Sequence, residues 1–61
     1  MGTKFLNNYN GMLLFSVANF QINLSVGDYA KLHDENGKKT WVIEKKMYDQ
    51  DGFMCYYVNS K

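Results

Sequence analysis

The chain has 61 residues, seven lysines against six acidic side chains, a formal charge of +1 and a single cysteine. This length supports one domain over residues 1–61, the lone Cys55 excludes an internal disulfide, and the near-neutral balance lacks the basic excess of most nucleic-acid binders. With no arginine in the sequence, the planar fork that reads guanine or clamps phosphate is missing too. A domain this small buries only about 60% of the surface that its unfolded chain exposes, so it needs unusually good packing, a metal or self-association. No His/Cys cluster offers a zinc site. The aromatic content of 16% supplies large apolar side chains for a small core. Lysine, asparagine and tyrosine in place of arginine suit an AT-rich bacterial or phage genome.

No segment reaches the roughly 20 apolar residues needed to span a bilayer as a helix. Met12 to Ala18 (MLLFSVA) has the apolar character of a short leader and ends on small residues, but the polar run Asn7 to Gly11 before it is wrong for a basic leader region. The reading preferred is a buried strand, and a cytoplasmic location follows from the lone thiol.

Three Asx-Gly pairs punctuate the chain, Asn10-Gly11, Asn36-Gly37 and Asp51-Gly52, each flanked by residues of high β-propensity. At the start, Lys4 to Tyr9 and Met12 to Val17 pair around Asn10-Gly11 as an N-terminal hairpin. The alternative is a helix over Met12 to Leu24, where Leu13, Val17, Phe20 and Leu24 recur at helical spacing; the asparagines and β-branched residues favour strands. Phe20 to Val26 alternates apolar and polar residues, which predicts a half-buried strand. Gly27-Asp28 breaks it, and Tyr29 to His33 follows as another strand. A turn at Asp34-Glu35-Asn36-Gly37 leads into Thr40 to Tyr48, and a turn over Asp49 to Gly52 leads into the last strand, Phe53 to Val58. The expectation is an all-β domain, a small SH3-like barrel of about five strands, with or without an extra N-terminal hairpin.

From Val26 the chain reads Val26-Gly27-Asp28-x-Ala30-x-Leu32, then Trp41-Val42-Ile43, then Phe53-x-Cys55-x-Tyr57. This resembles the small bacterial SH3-like barrels, the YodC-like proteins, that open on V-G-D-x-V-x-L. The resemblance covers roughly residues 24–58 and implies a barrel; it carries no activity. Ala30 and Tyr57 replace the larger β-branched residue and the tryptophan usual in that pattern. Independently of the family, Gly27 permits a sharp bend and Asp28 can bond local amides.

Strict alternation after Val26 assigns an inward face of Val26, Ala30, Leu32, Trp41, Ile43, Met47, Phe53, Cys55 and Tyr57. The opposite face then carries Tyr29, Lys31, His33, Val42, Glu44, Lys46, Tyr48, Met54, Tyr56 and Val58, which is too apolar to be merely solvated. Tyr29, Tyr48, Met54, Tyr56 and Val58 are therefore the candidate protein-binding residues, for another protein or a second copy of the chain. The competing reading is that Met12 to Leu24 folds over this face and covers it. The lysine pairs Lys38-Lys39 and Lys45-Lys46, with Trp41, give the alternative: a basic, aromatic strip for single-stranded nucleic acid.

Catalytic readings are weaker. His33 neighbours Asp34, but adjacent strand residues point to opposite faces. Cys55 shares its phase with Phe53 and Tyr57, which makes it a small core residue rather than a nucleophile. Asp49-x-Asp51-Gly52 begins like a calcium loop, but Phe53 occupies the next ligand position and no glutamate closes it. No cofactor or metal is implied. The sequence therefore predicts a non-enzymatic binding module, of a size that suits a bacterial or phage-encoded regulator or inhibitor and able to form a homodimer.

Overall fold

A computed structural model describes residues 2–34 and 36–61, the side chain of Asp34 excepted. The chain is all-β. Five strands, β1 (Thr3–Asn7), β2 (Leu13–Val17), β3 (Tyr29–Asp34), β4 (Gly37–Tyr48) and β5 (Met54–Ser60), form one sheet in the order β2-β1-β5-β4-β3. The β1–β5 pair is parallel and the other pairs are antiparallel. The sheet curls into a half-barrel, consistent with a small SH3-like barrel. Its two edge strands, β2 and β3, come within 8 Å in Cα position without pairing. The N-terminal hairpin is thus part of the five strands rather than an addition to them, and no helix forms over Met12 to Leu24.

The turn chemistry read from the sequence is what closes the hairpins. Gly11 takes φ 74°, while Asn7 Oδ1 accepts from the Tyr9 amide at 2.8 Å and Asn10 Oδ1 from Met12 at 3.0 Å. Asp49 organises the β4–β5 turn by accepting from the amides of Asp51 and Phe53, each at 2.9 Å, with Gly52 at φ 81°. At the β3–β4 connection Asp34 pairs with Gly37; the predicted turn between them includes Glu35, outside the described residues. Gly27, at φ 97°, bends the chain into β3, and Asp28 caps that bend by accepting from the Ser25 amide at 2.8 Å.

The predicted strand Phe20 to Val26 is not a strand. Its alternation is real, since Ile22 and Leu24 are half-buried against the core while Phe20, Gln21, Asn23, Ser25 and Val26 are exposed. Its backbone, however, joins no ladder. Two hydroxyls hold it instead. Thr3 Oγ1 donates to the Phe20 carbonyl at 3.0 Å and accepts from the Ile22 amide at 2.9 Å. Tyr56 Oη donates to the Ile22 carbonyl at 2.6 Å and accepts from the Leu24 amide at 2.8 Å. These bonds meet the demand that buried backbone polar groups be paired. Val26, expected inside, is at the apex of the Gly27 bend and is exposed.

The core is Phe5, Leu32, Trp41, Ile43, Met54, Tyr56 and Val58, with the Phe5 and Tyr56 rings stacked at 5.3 Å. This reverses the predicted phase of the last hairpin. A β-bulge falls between Ile43 and Lys45, so Ile43 pairs with Val58 but Lys45 pairs with Tyr57 and Met47 with Cys55. One extra residue, Glu44, flips every side chain beyond it to the other face. Met54, Tyr56 and Val58 therefore point inward with Trp41 and Ile43, and Met47 points outward and is exposed. Phe53 and Tyr57 are half-buried, and Cys55 is buried on the outer face beneath the β4–β5 turn.

Candidate binding seam

The burial pattern redraws the predicted interface. Met54, Tyr56 and Val58 are 6%, 0% and 0% exposed, so none of them is on the surface. They form the floor that Leu14, Ile22 and Leu24 pack against, which is the competing reading of Met12 to Leu24. Tyr29 and Tyr48 are exposed, but on different parts of the molecule. Tyr29 lies on edge strand β3, its ring under the Lys61 ammonium at 4.8 Å. Tyr48 ends β4, where Gln21 Nε2 donates to its hydroxyl at 3.5 Å.

The lysine strip does not assemble around Trp41. Trp41 is buried and cannot stack a base. Lys45 and Lys46 pair with Tyr57 and Tyr56 respectively, and consecutive strand residues point to opposite faces. Their ammonium groups sit 5.3 Å and 5.8 Å from those rings, while Lys39 sits 5.4 Å from the Trp41 ring. Lys38 pairs with His33 at the far end of β4, roughly 20 Å of extended strand from Lys45.

No catalytic pair forms from the candidates. β4 lies between β3, which carries His33, and β5, which carries Cys55. Burial pushes the Cys55 thiol above its ordinary value, with the Asp49 carboxylate acting in the same direction. Such a thiol is protonated and inert at neutral pH. Asp49 is committed to its turn and to an ion pair with Lys4 at 3.0 Å. Among the described residues no group of three or more His, Cys, Asp or Glu side chains gathers, and no helix is long and apolar enough to cross a membrane.

What the curl of the sheet does create is a seam between β2 and β3. A cavity of about 430 Å³ opens there, walled by Phe5, Leu14, Phe15, Ile22, Leu24, Ala30 and Leu32 and bordered by Tyr29, Lys31 and His33. A second, of about 380 Å³, continues along the same gap past Leu14 and His33 to Asn7, Asn10, Met12, Leu13 and Trp41. Phe15 illustrates how the seam arises. Its ring lies 6.2 Å from that of Phe5, on the core side of the sheet, yet it is 45% exposed because no strand pairs with the free edge of β2. Trp41 closes the inner wall, and its Nε1 is a buried donor without a hydrogen-bond partner among the described side chains, which carries a penalty of about 1–3 kcal/mol.

Apart from Tyr29 and Trp41, the residues of the seam escaped the sequence reading as a site because β1, β2, the residue 20–24 segment and β3 are brought together only by the curl. One signal in the sequence does point to them. From Phe5 to Gly27 there is no charged side chain, so β2 lacks the lysine or other charge that usually protects an edge strand.

The chain matches no protein-family model, no curated protein and no solved structure.

Proposed function

We propose that this protein is a small, non-enzymatic binding module of the cytoplasm whose ligand is a protein surface, and that the contact is made by the seam between β2 and β3. The observation that carries this reading is the seam itself. A chain short of core leaves an apolar groove open on one side and places exposed Met12, Leu13, Phe15 and Tyr29 around it. Exposed apolar patches of that kind mark interaction sites, and the role of a small bacterial or phage regulator or inhibitor fits a small domain with such a surface. The reading replaces the aromatic outer face expected from the sequence, keeping Tyr29 as a rim residue. Nothing in the arrangement of Lys38, Lys39, Lys45 and Lys46 favours nucleic acid over protein.

The test is affinity capture from the source cell with the wild-type chain and with Phe15→Ser and Tyr29→Ser variants, followed by mass spectrometry. The expected result is a protein, or the chain itself, retained by the wild type and lost with the seam variants. Retention that survives both variants, or salt-sensitive binding of single-stranded DNA or RNA in its place, overturns the reading.

A further inference from the structure

We infer that the occupant of the seam is a second copy of this chain, packed seam to seam about a twofold axis. The inference rests on the seam being a protein-binding surface and names its partner.

Three observations carry it. The first is charge. Met12, Leu13 and Phe15 line the seam and are exposed, and they fall in the stretch from Phe5 to Gly27 that holds no charged residue. In a twofold contact each surface meets its own copy, so any charge near the axis faces a like charge. The β2 side of the seam, which holds no charge, meets itself at no such cost and offers a foreign partner no electrostatic feature to select it, while Lys31 and His33 border only the β3 side.

The second is shape. An isologous contact needs protruding and receiving parts on one surface. The β2 side of the seam supplies both: Met12 and Leu13, 64% and 55% exposed, stand beside a groove of about 430 Å³ floored by Phe5, Ile22 and Leu24. The opposite edge does not share these properties. β3 carries Lys31 and His33, both exposed, which set the twofold axis on the β2 side and leave β3 at the rim of the contact.

The third is stability. Oligomerisation is one of the few sources of added stability open to a domain below about 70–80 residues, beside disulfides, metals and very good packing. Cys55 is a free thiol, and no metal-ligand group gathers among the described residues.

The experiment is sedimentation equilibrium of the purified full chain from about 5 to 500 µM, with ¹H–¹⁵N spectra recorded over the same dilution series. The wild type is expected to reach twice its 7.1 kDa mass, with dilution shifting amide signals of residues 12–17 while those of the 49–53 turn stay fixed. Leu13→Lys puts a charge on the exposed edge and is expected to raise the dimer dissociation constant at least tenfold while keeping the β spectrum. Should that variant unfold, Met12→Glu, in the hairpin loop, makes the same test outside a strand. A wild-type chain that stays at 7.1 kDa to 500 µM overturns the inference. So does a dimer indifferent to both variants, or one whose dilution shifts map to the 49–53 turn. If the monomer result is accompanied by a captured protein that Phe15→Ser loses, the seam stands as a binding surface and only the second copy falls; if no protein is captured, both fall.

Discussion

Replacing Tyr56 by Phe removes one oxygen atom and isolates the part of the fold that the sequence concealed. The ring is fully buried and stacks on Phe5 at 5.3 Å, and phenylalanine preserves that packing. What disappears is the hydroxyl that donates to Ile22 O at 2.6 Å and accepts from Leu24 N at 2.8 Å. Each bond contributes about 1 kcal/mol net, and the loss also strands a half-buried amide and carbonyl whose desolvation adds to the cost, so the expected destabilisation is about 2–3 kcal/mol. A 61-residue domain has a total stability of about 3–9 kcal/mol, so this is a large fraction of it, equivalent to a fall in Tm of roughly 10–20 °C. Urea unfolding followed by Trp41 fluorescence measures it, at a fixed protein concentration so that any association does not shift the midpoint. Hydrogen exchange should locate the effect, with the Leu24 amide exchanging faster than those of β4 and β5. Tyr57→Phe, on the half-buried outer face, is the control and should change stability by less than about 0.5 kcal/mol. A Tyr56→Phe chain within about 0.5 kcal/mol of wild type would refute the claim that side-chain hydroxyls, rather than a backbone ladder, hold residues 20–24.

Three further outcomes follow from the same geometry. Gly2 is buried against Val17 O and the Phe53 ring, which a Cβ would approach to 2.6 Å, so Gly2→Ala should destabilise by about 1–3 kcal/mol in thermal melts. Asp49 is held below the ordinary carboxylate value, first by the Lys4 hydrogen bond and then by the Phe53 amide. Its stabilising contribution is therefore complete above the unfolded-state value of about 3.9 and is lost as pH falls through the lower folded value. Urea midpoints measured between pH 7 and 2.5 should fall on the acid side, less steeply in Lys4→Met, which still leaves the backbone amides on Asp49. The Lys4 ammonium is raised by the same bond, so its contribution is complete below about pH 10.4 and is lost above it. Finally, the buried Cys55 thiol, its ionisation suppressed, should react with a thiol reagent at neutral pH at least about a hundredfold more slowly in the folded chain than in denaturant.

The sequence and the structure agree wherever local chemistry decides. Asn10-Gly11 and Asp51-Gly52 sit at hairpin turns, the Gly27-Asp28 pair bends and caps the entry to β3, and Trp41, Ile43 and Leu32 are core residues. They part where a nonlocal choice intervenes. Alternation carried past Ile43 without a bulge puts Tyr56 outside; Glu44 adds one residue to β4, and the phase of β5 inverts. Nothing in the composition around Glu44 announces the bulge. Phe20 to Val26 has the periodicity of a strand because the same side chains must face the core, but periodicity reports burial and not pairing. The hydroxyls that hold it belong to Thr3 and Tyr56, 17 to 34 residues distant from the groups they bind. The apolar surplus that motivated a binding function was legible in the sequence. Its location was not, because the surplus on β5 is used as core, and exposed Met12, Leu13 and Phe15 lie at the free edge of β2 while Met47 and Tyr48 stay exposed at the end of β4.

That relocation is the central claim, and one footprint tests it most directly. Amide hydrogen exchange of the chain alone and dilute, compared with the chain in its complex with whichever protein occupies it, should show added protection at residues 12–17 and 29–32 along the two sides of the seam, with the β4–β5 turn at 49–53 unchanged. Protection confined to Tyr48 and the 49–53 turn, with both edges of the seam exchanging as in the free chain, would contradict the account.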